Sequence, residues 1–232
     1  MIVAHFETAA GGIRREETLL RRGRPAVLLW TAEHPALVVP GSLLGNCESG
    51  QAATEAATQG WPVLMRKSGG GVVPQGPGTL NLAMILPRPQ GFTIDDGYRL
   101  ICATIAEALT RFDIDATTGP CAGSFCDGRW NMLHRGRKLA GTAQRWQGPA
   151  SCQVVLMHAA ILCALPETMP WHLIERLQSP QAPDAPPVTK AAHVALDDLL
   201  PDGAGAHSFP GALIRAAEDR LHAYRPRISQ MA

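Results

Sequence analysis

No stretch of this 232-residue chain stays apolar for the roughly 20 residues a membrane span requires; runs such as Val154–Leu156 and Ile161–Leu165 stop far short. Net charge is almost absent too. Lys and Arg number 21 against 20 Asp and Glu, leaving +1, so no global field draws the chain to nucleic acid or an anionic membrane. Charged residues make up only 18% against 46% hydrophobic, the reverse of the balance in disordered chains. The first residues, Met1 to Glu7, lack the basic start and apolar stretch of a signal peptide. None of the six cysteines forms a C-x-x-C pair or a paired zinc spacing, and the eight histidines show no ligand spacing. These absences predict a cytoplasmic protein with free thiols, no metal site, and no nucleic-acid or membrane partner. A Walker loop, a G-x-G-x-x-G fingerprint and internal repeats are missing as well.

What is present reads as mixed α and β structure. Helices are expected over Gly12–Arg22, Gln51–Gln59, Thr93–Phe112, Pro166–Leu177 and Pro210–Tyr224, the last opened by its proline. Thr93 with Asp96 has the spacing of an N-terminal cap. Strands are expected at Ala26–Trp30, Ala36–Val39, Pro62–Met65, Leu80–Leu86 and Val154–Ala164, with a hairpin over Met132–Gly141. The elements do not alternate strictly, so the fold class is α+β, a central mixed sheet flanked by helices. A catalytic unit over 1–178 is followed by 179–232, a Pro-rich loop (Ser179–Pro187) and a C-terminal helix packed on the same domain.

Two segments concentrate residue types that serve chemistry. Arg66–Asn81 places three consecutive glycines after a strand, beside Arg66 and Lys67. Glycine loses the most conformational freedom on folding, so such a run suits a place where backbone must approach something closely. Its N–H groups fit a carboxylate or phosphate; the plainer reading is a tight turn with basic flanks. Ser124–Arg145 sets Lys138 beside the small residues Ala140, Gly141, Thr142 and Ala143, which leave room for a ligand.

Arg66-Lys-Ser-Gly-Gly-Gly71 and Gly78-Thr-Leu-Asn81, followed by Gly136-Arg-Lys-Leu-Ala-Gly-Thr-Ala-Gln144, resemble the lipoate–protein ligase and octanoyltransferase superfamily, which also includes biotin–protein ligases. The resemblance runs from about Leu28 to Leu165, taking in Pro35–Gly41 and a His-x-x-Ile-Leu strand at His158–Leu162. The Gly-Arg-Gly-Arg loop of biotin ligases is not present. The resemblance implies a lipoate/biotin ligase-like catalytic domain with an acyl tunnel between the two segments, lined by apolar residues of Pro35–Val39 and Leu80–Leu86. It implies an enzyme transferring a lipoyl or octanoyl group to a lysine of a lipoyl-domain protein, a glycine cleavage H protein or a 2-oxoacid dehydrogenase subunit. Lys138 matches the family's essential lysine, and Arg66, Ser68, Gly69, Gly70, Gly71, Gln75, Asn81, Gly141, Thr142, Ala143 and His158 are the implied substrate-binding residues.

Two routes compete within that superfamily. Ligases use ATP and magnesium to make an acyl-adenylate; transferases take the acyl group from acyl carrier protein, without a cofactor, through a cysteine. Ligases carry His-Asp after the triple glycine and Asn-Asp before the hairpin, where this chain has Gln75-Gly76 and Trp130-Asn131. A neutral amide offsets magnesium's charge less well than a carboxylate, although Asp127 lies close by. Cys126 occupies the loop in which related transferases keep their nucleophile, and the thioester route is preferred on these grounds. Against it stands the reading of Cys126 as a small hydrophobe. A non-catalytic acyl-binding or sensor protein is the alternative of another class.

Overall fold

The computed structural model describes residues 2–45, 47–178, 185–200 and 204–224. Period-two alternation in the sequence becomes a seven-stranded sheet. Its strands are β1 (Val3–Phe6), β2 (Ala26–Ala32), β6 (Thr79–Pro87), β7 (Thr117–Gly119), β8 (Asn131–His134), β9 (Arg137–Gln147) and β10 (Val154–Leu162). They lie in the order β1-β2-β6-β10-β9-β8-β7. β1 and β2 run parallel and the other neighbours antiparallel, so the sheet is mixed, as expected. A second sheet was not expected; it joins β3 (Ala36–Pro40), β4 (Val63–Arg66) and β5 (Val73–Gln75) in the order β4-β3-β5. Among the described residues no helix is long and apolar enough to cross a membrane.

Helices cover both faces of the large sheet. On one face lie α3 (Ile94–Thr110), the short α5 (Leu196–Leu199) and α6 (Ala204–His222). They bury Ile101, Ile105, Leu109, Leu196, Phe209 and Leu213 against Leu82, Met84, Val155 and Met157. The cap at Thr93 forms as a full capping box: Asp96 N–H donates to Thr93 Oγ1 (3.2 Å) and Thr93 N–H to Asp96 Oδ2 (2.9 Å). The proline expected to open the last helix instead lies inside it, at Pro210. Proline removes one intrahelical donor. Burial of Phe209, Ala212, Leu213 and Ala216 beside it outweighs that loss.

On the opposite face α1 (Ala9–Arg22) sets Leu20 against Ala83, Ile85 and Leu156. Two further helices, α2 (Cys47–Thr58) and α4 (Trp171–Gln178), pack their Ala52, Ala56, Leu173, Ile174 and Leu177 on Leu37 and Val39 of the small sheet. The space enclosed by the large sheet, the small sheet and α1 is the site. Most of the loop expected at Ser179–Pro187 lies outside the described residues.

Candidate active site

The triple glycine is shaped by Arg66 at the end of β4. Its buried guanidinium donates to the carbonyls of Val38 (2.7 Å), Gly69 (2.9 Å) and Gly71 (2.7 Å), folding the loop back on itself. Arg66 thus gives three of its five N–H donors to backbone while still bordering the first cavity. Burial pushes its pKa down, while Cys126 and Glu16 pull it back.

The close approach that the glycines permit is to the protein's own cysteine. A Cβ on Gly70 would stand 2.9 Å from Cys126 Sγ, and one on Gly71 2.9 Å from Cys126 Cα. Gly71 N–H donates to the sulfur at 2.8 Å. Cys126 is itself held at φ 53°, a left-handed conformation that costs a non-glycine residue about 1–3 kcal/mol and persists only under strong surrounding constraint. The constraints are visible. Cys126 N–H donates to Gln178 Oε1 (2.6 Å), and the carbonyls of Phe125 and Cys126 both accept from Lys138 Nζ, the latter at 2.9 Å. Phe125 N–H donates to His193 Nε2 (3.2 Å), and the His193 ring stacks on Phe125 with centroids 4.3 Å apart.

Lys138, on β9, is 0% exposed. Burial pushes its pKa down, and Cys126, Asp127 and Cys121 pull it partly back. A Cβ on Gly141 would lie 3.3 Å from its Nζ, which accounts for the small residue there. Burial pushes the Cys102 and Cys163 thiols up to about 12.

Cys126 stands between two cavities. The first is small, with about 70 Å³ of free volume. Gly141, Thr142, Ala143, His158, Asn81 and Trp30 come to it from the large sheet, and Val38, Arg66, Ser68 and Gln75 from the small sheet and glycine loop. Its wall is largely apolar, from Ile13, Val38, Val73, Ala143 and Leu156 among others, but the leucines expected from β6 do not line it. Leu80, Leu82, Met84 and Leu86 point to the other face of the sheet, against α3 and α6, because only alternate residues of β6 face the cavity. The polar groups are paired with one another. Glu16 of α1 accepts from Trp30 Nε1 (2.8 Å) and from His158 Nδ1 (2.9 Å), and His158 Nε2 meets Ser68 Oγ at 2.8 Å. Gln75 and Asn81 exchange two amide hydrogen bonds of 2.9 and 2.8 Å.

The second cavity is an open groove lined by Gly70, Gly71, Ser124, Cys126, Trp130 and Asn131, among others. Asp127 also faces it, but its Oδ1 accepts from Cys121 N–H. Among the described residues no group of three or more His, Cys, Asp or Glu is placed to hold a metal ion. One engaged carboxylate beside a neutral amide does not fit a magnesium-binding pair.

Every site residue expected from sequence thus lies on or beside the first cavity, the Gly loop or the Cys126 loop. Glu16, Trp30, Gln178 and His193 were not anticipated. Their partners are remote in sequence, and no local motif marks them.

Comparison with known proteins accords with this geometry. The family model of the lipoyl protein ligase A/B catalytic domain matches residues 13–216. An uncharacterised protein of Cupriavidus necator is 41% identical over 158 residues, which make up 62% of each chain. An octanoyl-[GcvH]:protein N-octanoyltransferase of Kyrpidia tusciae is 37% identical over 142 residues, 59% of this chain and 48% of its own. The matches therefore span about half to under two thirds of these curated relatives. A lipoate-protein ligase A bound with ATP superposes with a TM-score of 0.70 at 16% identity, over 95% of this chain and 83% of that one; the likeness is one of fold. By the match of its family model to most of its length, the chain belongs to the lipoyl protein ligase A/B catalytic domain family.

Proposed function

We propose that the protein transfers an octanoyl or lipoyl group to a lysine of a lipoyl-domain protein through a thioester on Cys126. The observation that carries this reading is the setting of the sulfur. It lies between two cavities, takes a hydrogen bond from Gly71 N–H, and sits beside the buried side chains of Arg66 and Lys138. A nucleophile held by a fixed backbone donor at the meeting of two cavities is suited to covalent catalysis. The relative named an octanoyltransferase supports the class of reaction.

In this mechanism the acyl chain lies in the first cavity, against Val38, Ala143 and Ala160, within the polar frame of Ser68, Gln75, Asn81 and His158. Cys126 thiolate attacks the acyl carbon of a carrier thioester. A C–S bond forms, the carbonyl electrons move to oxygen, and collapse expels the carrier thiolate. The amine of the acceptor lysine then attacks the same carbon. A C–N bond forms, the bond to Cys126 breaks, and the proton lost by the amine balances the carrier thiolate released earlier. Lys138 fixes the Phe125 and Cys126 carbonyls and offsets the charge that develops beside them. The acceptor is an apo lipoyl-domain protein such as the glycine cleavage H protein or a 2-oxoacid dehydrogenase subunit, and the donor an acyl carrier protein. A reducing cytoplasm suits six free thiols.

The test incubates the protein with octanoyl-acyl carrier protein without ATP and measures intact mass. An octanoyl adduct that disappears in Cys126→Ala is expected. No adduct, with lipoate-dependent exchange of pyrophosphate into ATP, would mean ATP-dependent ligation; neither activity would mean an acyl-binding protein.

A further inference from the structure

Among the described residues the first cavity leaves no buried polar side-chain atom without a partner, but the groove on the other side of Cys126 does. Four such atoms lack a hydrogen-bond partner among those residues, and three of them belong to residues lining this groove: Ser124 Oγ, Trp130 Nε1 and Asn131 Nδ2. Ser124 and Asn131 are each 3% exposed. Trp130 is fixed by parallel stacking on Tyr98, with centroids 5.3 Å apart. Buried polar atoms are nearly always paired in native proteins, so three unpaired ones on residues that line one groove point to a ligand there.

Their chemistry limits what that ligand is. An indole N–H and an amide NH₂ only donate, and a hydroxyl can donate, so the ligand presents oxygen acceptors. The carboxylates of Asp127 and Glu175 line the same groove, and the cation among its lining residues, Arg129, is engaged by Asp95 at 2.6 Å. That balance disfavours a polyanion and suits neutral carbonyls. Position adds a further constraint. Cys126, Thr142 and the glycine loop border the groove, and Asn131 and Lys138 approach one point, 3.8 and 3.3 Å from where a Gly141 Cβ would stand. A chain leaving the acyl carbon on the side away from the first cavity runs into this groove.

We propose that the groove seats the arm to which the acyl group is attached, and that Ser124, Trp130 and Asn131 donate to carbonyl oxygens of its secondary amides. The inference rests on the acyl-transfer reading above. Two sources share this chemistry: the pantetheine arm of a thioester carrier, and the peptide flanking an acylated lysine.

The experiment follows acylation of Cys126 by intact mass with three donors: S-octanoylpantetheine, an Nε-octanoyl-lysyl peptide, and S-ethyl thiooctanoate, which has no amide. Trp130→Phe keeps the stacking ring and removes the N–H; Asn131→Ala and Ser124→Ala remove the other donors. In each variant the rate on an amide-bearing donor, relative to S-ethyl thiooctanoate, should fall about tenfold, and the donor that shows the fall identifies the source. Retained thermal transitions distinguish this from misfolding, and competition by free pantetheine or the unacylated peptide for the wild-type protein provides a second readout independent of the variants. Unchanged ratios together with no competition would overturn the inference while leaving acyl transfer standing. A wild-type protein acylated by none of the three donors would overturn both.

Discussion

The two cavities that meet at Cys126 both include polar side chains, yet those polar groups are arranged on opposite principles. In the first cavity Glu16, Trp30, His158 and Ser68 close into one chain of hydrogen bonds, and Gln75 and Asn81 bond each other. On the groove side Ser124, Trp130 and Asn131 leave a polar atom open. A saturated network fixes a shape before any ligand arrives, because each member is locked by its neighbour. Open donors contribute nothing to the empty fold and become useful when acceptors arrive. The first cavity is therefore a preformed mould, and the second a reading surface.

The sharpest way to break this comparison is beneath the loop that carries Cys126. Lys138→Ala should lower transfer to an apo lipoyl domain by at least about 100-fold, the order seen when a key electrostatic donor is removed. The Phe125 and Cys126 carbonyls also lose their donor. Mass spectrometry of the acceptor domain checks it, and a folded variant working at the normal rate would remove Lys138 from the chemistry.

A pH titration addresses the support of the same loop. Burial pushes His193 down to about 4, and its neutral ring donates from Nδ1 to Thr189 O while accepting Phe125 N–H at Nε2. Between pH 6.5 and about 4 the unfolded chain binds a proton that the folded protein refuses, so stability falls as pH drops through that window. The loss should approach about 3 kcal/mol, since each tenfold difference in proton affinity between the two states is worth about 1.4 kcal/mol. Urea melts at pH 7 and pH 4.5 measure it, and His193→Gln should flatten this part of the dependence.

On the saturated side, Glu16→Leu removes the acceptor for both Trp30 Nε1 and His158 Nδ1. A loss of about 2 kcal/mol in chemical denaturation is expected, within the range for stranding buried polar groups. On the open side, Trp130→Phe strands nothing and should change stability by less than about 0.5 kcal/mol. Equal losses at Glu16 and Trp130 would erase the distinction between mould and reading surface.

Much of the scaffold was legible in the sequence because its causes are local. Alternation over Leu80–Leu86 placed β6, Thr93 with Asp96 placed the start of α3, and the small residues around Lys138 marked a strand with space above it. Pro210 misled for the same reason: a local rule for helix starts was overridden by burial of its neighbours against α3. The short strands β1, β5 and β7 were missed, since three or four residues are too few to establish a period.

The sequence by itself determined the family's marks, namely the Arg66–Gly71 loop and the Gly136–Gln144 hairpin, along with the α+β class and a cysteine upstream of Lys138. Those are runs of neighbouring residues, and short-range sterics and hydrogen bonding give them meaning without the rest of the chain. Only the tertiary structure decided that Gly71 faces Cys126 across 55 residues, that Glu16 orients His158 across 142, and that Arg66 holds the Val38 carbonyl across 28. Such pairings depend on how two sheets and a helix enclose one space. No periodicity along the chain records which side chains will share it, or which will be left without a partner.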